Sequence, residues 1–295
     1  RYYVPVLPML AINGSEGVSI GFAQKILPRK PKEIMKWVKQ RAAGDRITAN
    51  LTPHWEGMSC VVNKGESKVQ WEITGGFTRK TKHRITIDSL PVGYTLKQYQ
   101  DVLEKLVEDK VIKDYDDLSD NDQFEFEIQV DRAFGERTDE WIMTKLKLIK
   151  KVSENFTCID ENNKIVIFKD LKALLEAWYV KRIEYNDLRK QHLLASMQEE
   201  MDYTNARAKF IQGVVDGAIE LRNSKETAVI AQAEAYDSIL QGCVKGFLGL
   251  PMRSLTAEEI AKLKAKAKSL KAEIADYSKK SFETILIEDI DVINF

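Results

Sequence analysis

The residues with the clearest chemical potential lie in Asn13-Gly14-Ser15-Glu16-Gly17-Val18-Ser19-Ile20-Gly21, where three unevenly spaced glycines surround a branched apolar residue, Val18. Glycine lets a backbone take φ > 0 or approach another surface closely. An apolar side chain held on such a turn and followed by cations can act as a wedge pressed into an anionic partner. The cations are present: Lys25, Arg29, Lys30 and Lys32 follow the turn, and Arg79, Lys80, Lys82, His83 and Arg84 crowd the stretch after Gly76. Cationic side chains on adjacent elements can track a phosphate backbone, which positions it without reading sequence. A plain strand-to-loop turn and scattered solvated lysines are the simpler readings of the same residues.

Other candidate chemistry is thinner. His54 beside Trp55 suggests an acid/base residue, but no second histidine, serine or cysteine constellation accompanies it. It reads as a structural or phosphate-contacting histidine. Glu16 and the acidic run Asp114 to Asp122 suggest a metal site of the kind a nuclease uses, which would give metal-dependent nicking. The run lacks the glycine and terminal glutamate of a calcium loop and reads as a solvated loop. Cys60, Cys158 and Cys243 are too far apart for a disulfide framework or a metal spacing, and fit isolated reduced thiols. No phosphate loop of the G-x-x-x-x-G-K-[ST] kind is present. We assign no catalytic residue and no metal ligand.

These side chains need elements to hold them. The 295 residues suffice for one large or two to three smaller domains, and 45 basic against 45 acidic residues give zero net charge, so any basic face must be local. Pro31 suits a helix start, with Ile34, Trp37 and Val38 on one face. Val61-Val62, Val69 to Ile73, Arg84 to Ile87 and Phe124 to Ile128 alternate as half-buried strands, with turns at Asn63-Lys64-Gly65 and Gly75-Gly76 and an amphipathic helix over Leu96 to Lys110. From Asp170 the period becomes helical. Leu171, Leu174, Trp178, Tyr185, Leu188 and Ala195 form one seam, and Ile260, Leu263, Ala267, Leu270, Ile274 and Tyr277 form another. The second helix is expected to start at a Thr256/Glu259 capping box. No apolar run is long enough to span a bilayer and no signal peptide is visible, so no membrane partner is expected. The start at Arg1 reads as that of an internal or carboxy-terminal piece of a longer protein.

Val6 to Gly21, with the Pro-rich turn after it, resembles the signature of the DNA breakage-reunion part of type IIA DNA topoisomerases, P-x-L/V-x-N-G-[SA]-x-G-I-x-x-G. Leu51-Thr52-Pro53-His54-Trp55-Glu56-Gly57 is similar to the H-P-W-x-x-G segment of the eukaryotic branch, with Pro and His exchanged, and Ile112-Lys113-Asp114-Tyr115 to its I-K-D-Y segment. Arg182 to Lys190 resembles the R-x-x-Y-x-x-R-K approach to the family's coiled coil, Ala208-Lys209-Phe210-Ile211 its A-R-F-I helix, and Gly246 to Thr256 its exit. The matches run in the family's order to about Tyr277, and their mixture resembles the T-even phage branch.

The resemblance implies an α+β fold: the end of a winged-helix and wedge segment (1–33), a tower-like domain (34–169), an antiparallel coiled-coil arm (170–204 and 256–281), a tip (205–255) and a terminal segment (282–295). It implies that Val18 intercalates, less deeply than the family's isoleucine, and that Lys25, Arg29, Lys30, Lys32, His54, Arg79, Lys80, Lys82 and Arg84 hold double-stranded DNA. Phe247, Leu248, Leu250 and Met252 would form the exit gate of a homodimer. The family's catalytic tyrosine lies upstream of the opening motif. Arg1-Tyr2-Tyr3 matches a structural W-Y-x-P segment instead, so catalysis is not carried onto it and the fragment is expected not to cleave DNA alone. Mg and ATP belong to the complete enzyme, with ATPase and metal-binding subunits as partners in the cytoplasm, a host's if the source is a phage. A non-enzymatic, DNA-associated coiled-coil scaffold is the alternative.

Overall fold

The computed structural model describes residues 3–120 and 123–294, so Arg1-Tyr2, the Asn121-Asp122 end of the acidic run and Phe295 lie outside it. The chain divides into two compact units, residues 1–181 with 292–295, and residues 182–291. The fold is mixed α and β, as the sequence predicts.

The first unit opens with a short helix α1 (Met9–Asn13), strands β1 (Ser15–Ser19) and β2 (Phe22–Ile26), and helix α2 (Pro31–Ala43). Pro31 sits where its missing N–H costs nothing, and Gly44 at φ +75° ends the helix by donating to the Gln40 and Arg41 carbonyls. Then come β3 (Val61–Lys64), β4 (Gln70–Thr74), β5 (Gly76–Thr81), β6 (Arg84–Ser89), α3 (Leu96–Glu108), β7 (Asp114–Asp117) and β8 (Phe126–Gln129). The helices α4 (Arg132–Gly135) and α5 (Asp139–Lys145) precede β9 (Ile149–Ser153), β10 (Phe156–Ile159) and β11 (Ile165–Phe168). The strands form an antiparallel sheet of order β5-β6-β8-β7, a second of order β3-β4-β9, and the hairpins β1-β2 and β10-β11.

Alternation decides which strand faces are buried. Ile85 pairs with Ile128 and Ile87 with Phe126, so all four point to one side. There α3 buries Tyr99, Leu103 and Leu106 against them. That helix carries a Thr95/Gln98 capping box that the sequence reading overlooked. The Tyr99 hydroxyl donates to the Leu146 carbonyl at 2.8 Å, and burial raises its pKa far above the ordinary phenol value. Asp114 to Asp117, expected as loop, pair with β8 as the edge strand of this sheet. A row of carboxylates suits such an edge because it discourages pairing with a further strand.

The second unit is helical. Helix α6 (Leu171–Val215) starts in the first unit and continues into the second, followed by α7 (Glu226–Tyr236), three 3₁₀ turns, α8 (Ala257–Lys279) and α9 (Phe282–Asp291). Helix α6 does not stop at 204, because Ala206, Ala208, Phe210 and Ile211 keep its apolar stripe buried. Helix α8 runs antiparallel to it: Lys190 donates to the Ser278 carbonyl, Lys266 pairs with Glu200, and Arg207 with Glu259. The expected seam residues Ile260, Leu263, Ala267 and Leu270 are buried. Thr256 caps α8 by accepting from the Glu259 N–H at 3.2 Å. The Glu259 carboxylate, expected to complete a capping box, reaches Arg207 at 3.0 Å.

At the tip, Phe210, Ile219, Val229, Leu240, Val244 and Phe247 make one core. This corrects the expectation for Phe247, which is 1% exposed. Its ring packs between Tyr203 and Phe210 in tilted contacts, with centroids 5.2 and 5.6 Å away. An aromatic side chain gains more from filling this small core than from standing on a loop. Leu248 and Leu250 are half-buried against the same core. Met252 projects into solvent.

Candidate nucleic-acid interface

The glycine-rich stretch folds as the β1–β2 hairpin, with Glu16 opposite Lys25, Val18 opposite Ala23 and Ser19 opposite Phe22. Two glycines are needed for this. A Cβ on Gly14 would stand 2.6 Å from the Ile26 carbonyl oxygen, so only glycine lets α1 turn into β1 beside the end of β2. Gly21, at φ +79°, forms the second corner of the two-residue turn Ile20-Gly21. The hairpin is tied sideways to β10: the Gln24 amide donates to the Thr157 carbonyl at 2.7 Å, and Lys25 and Asn155 exchange backbone hydrogen bonds.

Val18 is 89% exposed and Ile20 fully exposed at the free end of this hairpin. Burying either side chain against a partner would gain about 1.5–3 kcal/mol. Val18 also borders a cleft of about 270 Å³ shared with Phe22, Cys158, Ile159 and Ile165. Burial raises the Cys158 thiol pKa, so it stays protonated at neutral pH and is a poor nucleophile.

The root of the hairpin is fixed by a buried carboxylate that the sequence reading missed. Glu154 accepts from the Leu27 N–H at 2.8 Å, from Arg29 Nη1 and Nη2 at 2.6 Å each, and from Trp71 Nε1 at 2.8 Å. Arg29 also donates to the Leu51 carbonyl at 3.1 Å and to the Leu27 carbonyl. A bidentate pair whose carboxylate accepts four hydrogen bonds and whose guanidinium donates four is close to the geometry in which a buried ion pair holds. Arg29 was expected to hold phosphate. It is 2% exposed and its donors are spent on Glu154 and backbone carbonyls, so it anchors the hairpin instead.

The other cations divide into paired and unpaired. Lys25 meets Glu16 at 2.6 Å across the hairpin, which also gives Glu16 a role other than metal ligation. Arg79 meets Asp139 and donates to the Gly135 and Arg137 carbonyls. Lys80 and Arg84 share Glu127, and Lys82 meets Glu136 at 3.1 Å. The cluster after Gly76 is therefore charge-compensated rather than a bare basic face. Lys30 and Lys32, exposed at the start of α2, have no carboxylate partner among the described residues. Exposed ion pairs are worth about 0–1 kcal/mol, so a phosphate can displace such carboxylates.

His54 lines a cleft of about 230 Å³ with Lys30, Trp55 and Cys60. Its Nε2 lies 3.6 Å from Glu56, and its backbone N–H donates to the Pro28 carbonyl at 2.9 Å. Burial raises the Cys60 thiol pKa as well. Asp117 is held below the usual carboxylate range by hydrogen bonds from Ser119 and Gln100, which outweigh its desolvation. Among the described residues no three His, Cys, Asp or Glu side chains are grouped to hold a metal ion, and no helix is long and apolar enough to cross a membrane.

The family of DNA gyrase/topoisomerase IV A-subunits matches residues 1–291. The chain is 24% identical over 329 aligned positions to DNA topoisomerase 2 of Penicillium chrysogenum, covering 99% of this chain and 21% of the relative. It is 24% identical over 297 positions to the DNA topoisomerase medium subunit of Enterobacteria phage T4, covering 99% of this chain and 66% of the relative. Its fold superposes on the crystal structure of the Plasmodium falciparum topoisomerase II DNA-binding, cleavage and re-ligation domain with a TM-score of 0.83 at 22% identity, over 99% of this chain and 44% of that one. The chain thus spans from about a fifth to about two thirds of the length of these two curated relatives.

Proposed function

Because the chain belongs to the family of DNA gyrase/topoisomerase IV A-subunits, we propose that it binds and bends the gate duplex in the breakage-reunion subunit of an ATP-dependent type II topoisomerase. The observation that carries this reading is the exposed apolar end of the β1–β2 hairpin, standing on the buried Glu154–Arg29 anchor. A wedge works by entering a base step, and unstacking costs a few kcal/mol. Burial of Val18 offsets part of that cost. Lys30, Lys32, Lys25 and His54 hold the backbone beside the step, and Arg79, Lys80, Lys82 and Arg84 exchange their carboxylates for phosphates further out. Cleavage, Mg and ATP are assigned to other parts of the complete enzyme.

The test is Val18→Ala in a bend assay with donor and acceptor dyes at the two ends of a duplex. The expected result is loss of most of the bend while affinity changes less than about tenfold, or about 1.4 kcal/mol. An unchanged bend would sink the wedge, as the scaffold alternative requires.

The helical tip fits the family's exit gate, meeting a second copy of itself. With Phe247 inside the core, the contact falls to Met252, with Leu248 and Leu250 at its edge. Met252→Asp is expected to convert a micromolar dimer to monomer in sedimentation equilibrium without loss of helicity. A dimer that survives the change places the contact elsewhere.

A further inference from the structure

We propose that one exposed flank of α8 is a second phosphate-tracking surface, which holds duplex DNA along the arm through Lys264, Lys268, Lys271 and Lys279. The inference rests on the DNA-binding reading above and adds a contact in the second unit, to which that reading assigns none. Steps of four, three and eight residues keep these side chains within about 80° of one another around the helix, along about 22 Å of its length. All four are exposed, and none has a carboxylate partner among the described residues. Lys279 lies in the last turn, where a cation answers the helix dipole. The other three have no such local reason. Every residue three or four positions from them is Ile, Ala or another of the same lysines. Like charges at those spacings repel and destabilise a helix.

Elsewhere the chain compensates its cations. The cluster after Gly76 meets Glu127, Glu136 and Asp139, and Lys266, on another flank of α8, meets Glu200 at 2.6 Å. The α6 carboxylates in register with the lysine flank, Asp187 and Asp202, accept from Gln191 and Gln198 on their own helix. The positive charge on this flank is therefore left for something outside the chain.

The neighbours of the lysines decide what that is. The exposed positions interleaved with them are Ala261, Ala265, Ala272 and Ala275. A protein interface builds its core from aromatic residues, Met and Arg and is depleted in Lys, and a membrane-surface helix needs large apolar side chains beside its cations. This flank supplies neither. Lysine is a point charge on a flexible stem, suited to phosphates that are met without a fixed register. A duplex carries about one charge per 1.7 Å, so the stripe spans about 13 phosphates and each ammonium finds one whatever the sequence. Such a contact holds DNA in a salt-sensitive way and lets it slide.

The test uses this chain with a labelled duplex of about 30 base pairs. Lys264→Gln, Lys268→Gln and Lys271→Gln are combined in one variant; glutamine keeps the helix propensity and removes the repulsion. Circular dichroism should therefore match the parent. In anisotropy titrations across salt concentrations, the slope of log K against log salt is expected to fall by about 2–3, or about 0.9 per lost phosphate contact. The end-to-end bend at saturating protein should not change, whereas Val18→Ala is expected to do the reverse. Acetylation of the parent, followed by mass spectrometry, should show Lys264, Lys268 and Lys271 protected by the duplex and Lys97 and Lys105 of α3 unprotected. An unchanged salt slope, or equal acetylation with and without duplex, would overturn the inference and leave the hairpin reading standing. Stronger protection by a poly-glutamate peptide than by duplex would assign the flank to an acidic protein and overturn it as well. If the parent chain binds no duplex, both readings fall.

Discussion

Glu154→Ala is expected to destabilise the first unit by about 3–5 kcal/mol, the usual consequence of removing one partner from a buried ion pair. The loss has a direct cause. The substitution leaves the Arg29 guanidinium buried without a counter-charge, and it strips the acceptor from the Leu27 N–H and from Trp71 Nε1. Each orphaned neutral donor adds a desolvation penalty of about 1–3 kcal/mol where water cannot enter. The double variant Arg29→Met with Glu154→Leu removes both charges and should recover much of the loss. All five tryptophans, at positions 37, 55, 71, 141 and 178, lie in the first unit. Urea unfolding followed by tryptophan fluorescence therefore reports that unit alone. A midpoint barely changed by Glu154→Ala would mean that water replaces the carboxylate and that the pair does not anchor the hairpin. Intact tryptophan unfolding with a weakened bend in the double variant would show that the pair orients the wedge beyond holding the fold.

Phe247→Ala is expected to cost about 3–5 kcal/mol in the tip, the range for deleting a buried aromatic ring. The ring's neighbours, Tyr203, Phe210, Val244 and Leu240, come from α6 and from the irregular segment before α8, so its removal loosens the tip around one cavity. The tryptophan signal should hardly move, while the helical signal in circular dichroism should melt earlier. Equal shifts in both signals would contradict the separate core described for the tip. Because Phe247 is structural, a loss of self-association in this variant reports unfolding of the tip and is no test of the gate, whereas Met252→Asp is.

Much of this was legible in the sequence for a simple reason: period and local chemistry are written in consecutive residues. Ile85-Thr86-Ile87 and Phe126-Glu127-Ile128 alternate because one face of their sheet is buried, and they pair in register as that alternation requires. The seam Ile260, Leu263, Ala267, Leu270 records the three-and-four spacing of a packed helix. Glycine at 14 and 21 marks a close approach and a positive φ, both of which are present. The family, too, was legible, because its motifs are short contiguous strings.

What the sequence left undecided was the company each side chain keeps. Arg29 reads as one of four cations near the wedge, and only the fold brings Glu154, from more than a hundred residues away, to pair with it. Phe247 reads as an apolar residue in a loop, and only tertiary packing closes Tyr203 and Phe210 around it. The cations after Gly76 read as a basic patch until Glu127, Glu136 and Asp139 are folded against them. Ile20 reads as one more apolar residue until the hairpin leaves it bare at its apex. Sequence by itself determined the buried faces of α2, α3, β6, β8 and α8 and the family, because these depend on neighbours along the chain, while the edge strand Asp114–Asp117 waited for its partner β8. Exposure and charge pairing depend on neighbours in space, and only the tertiary structure decided which apolar and cationic groups remain free to act.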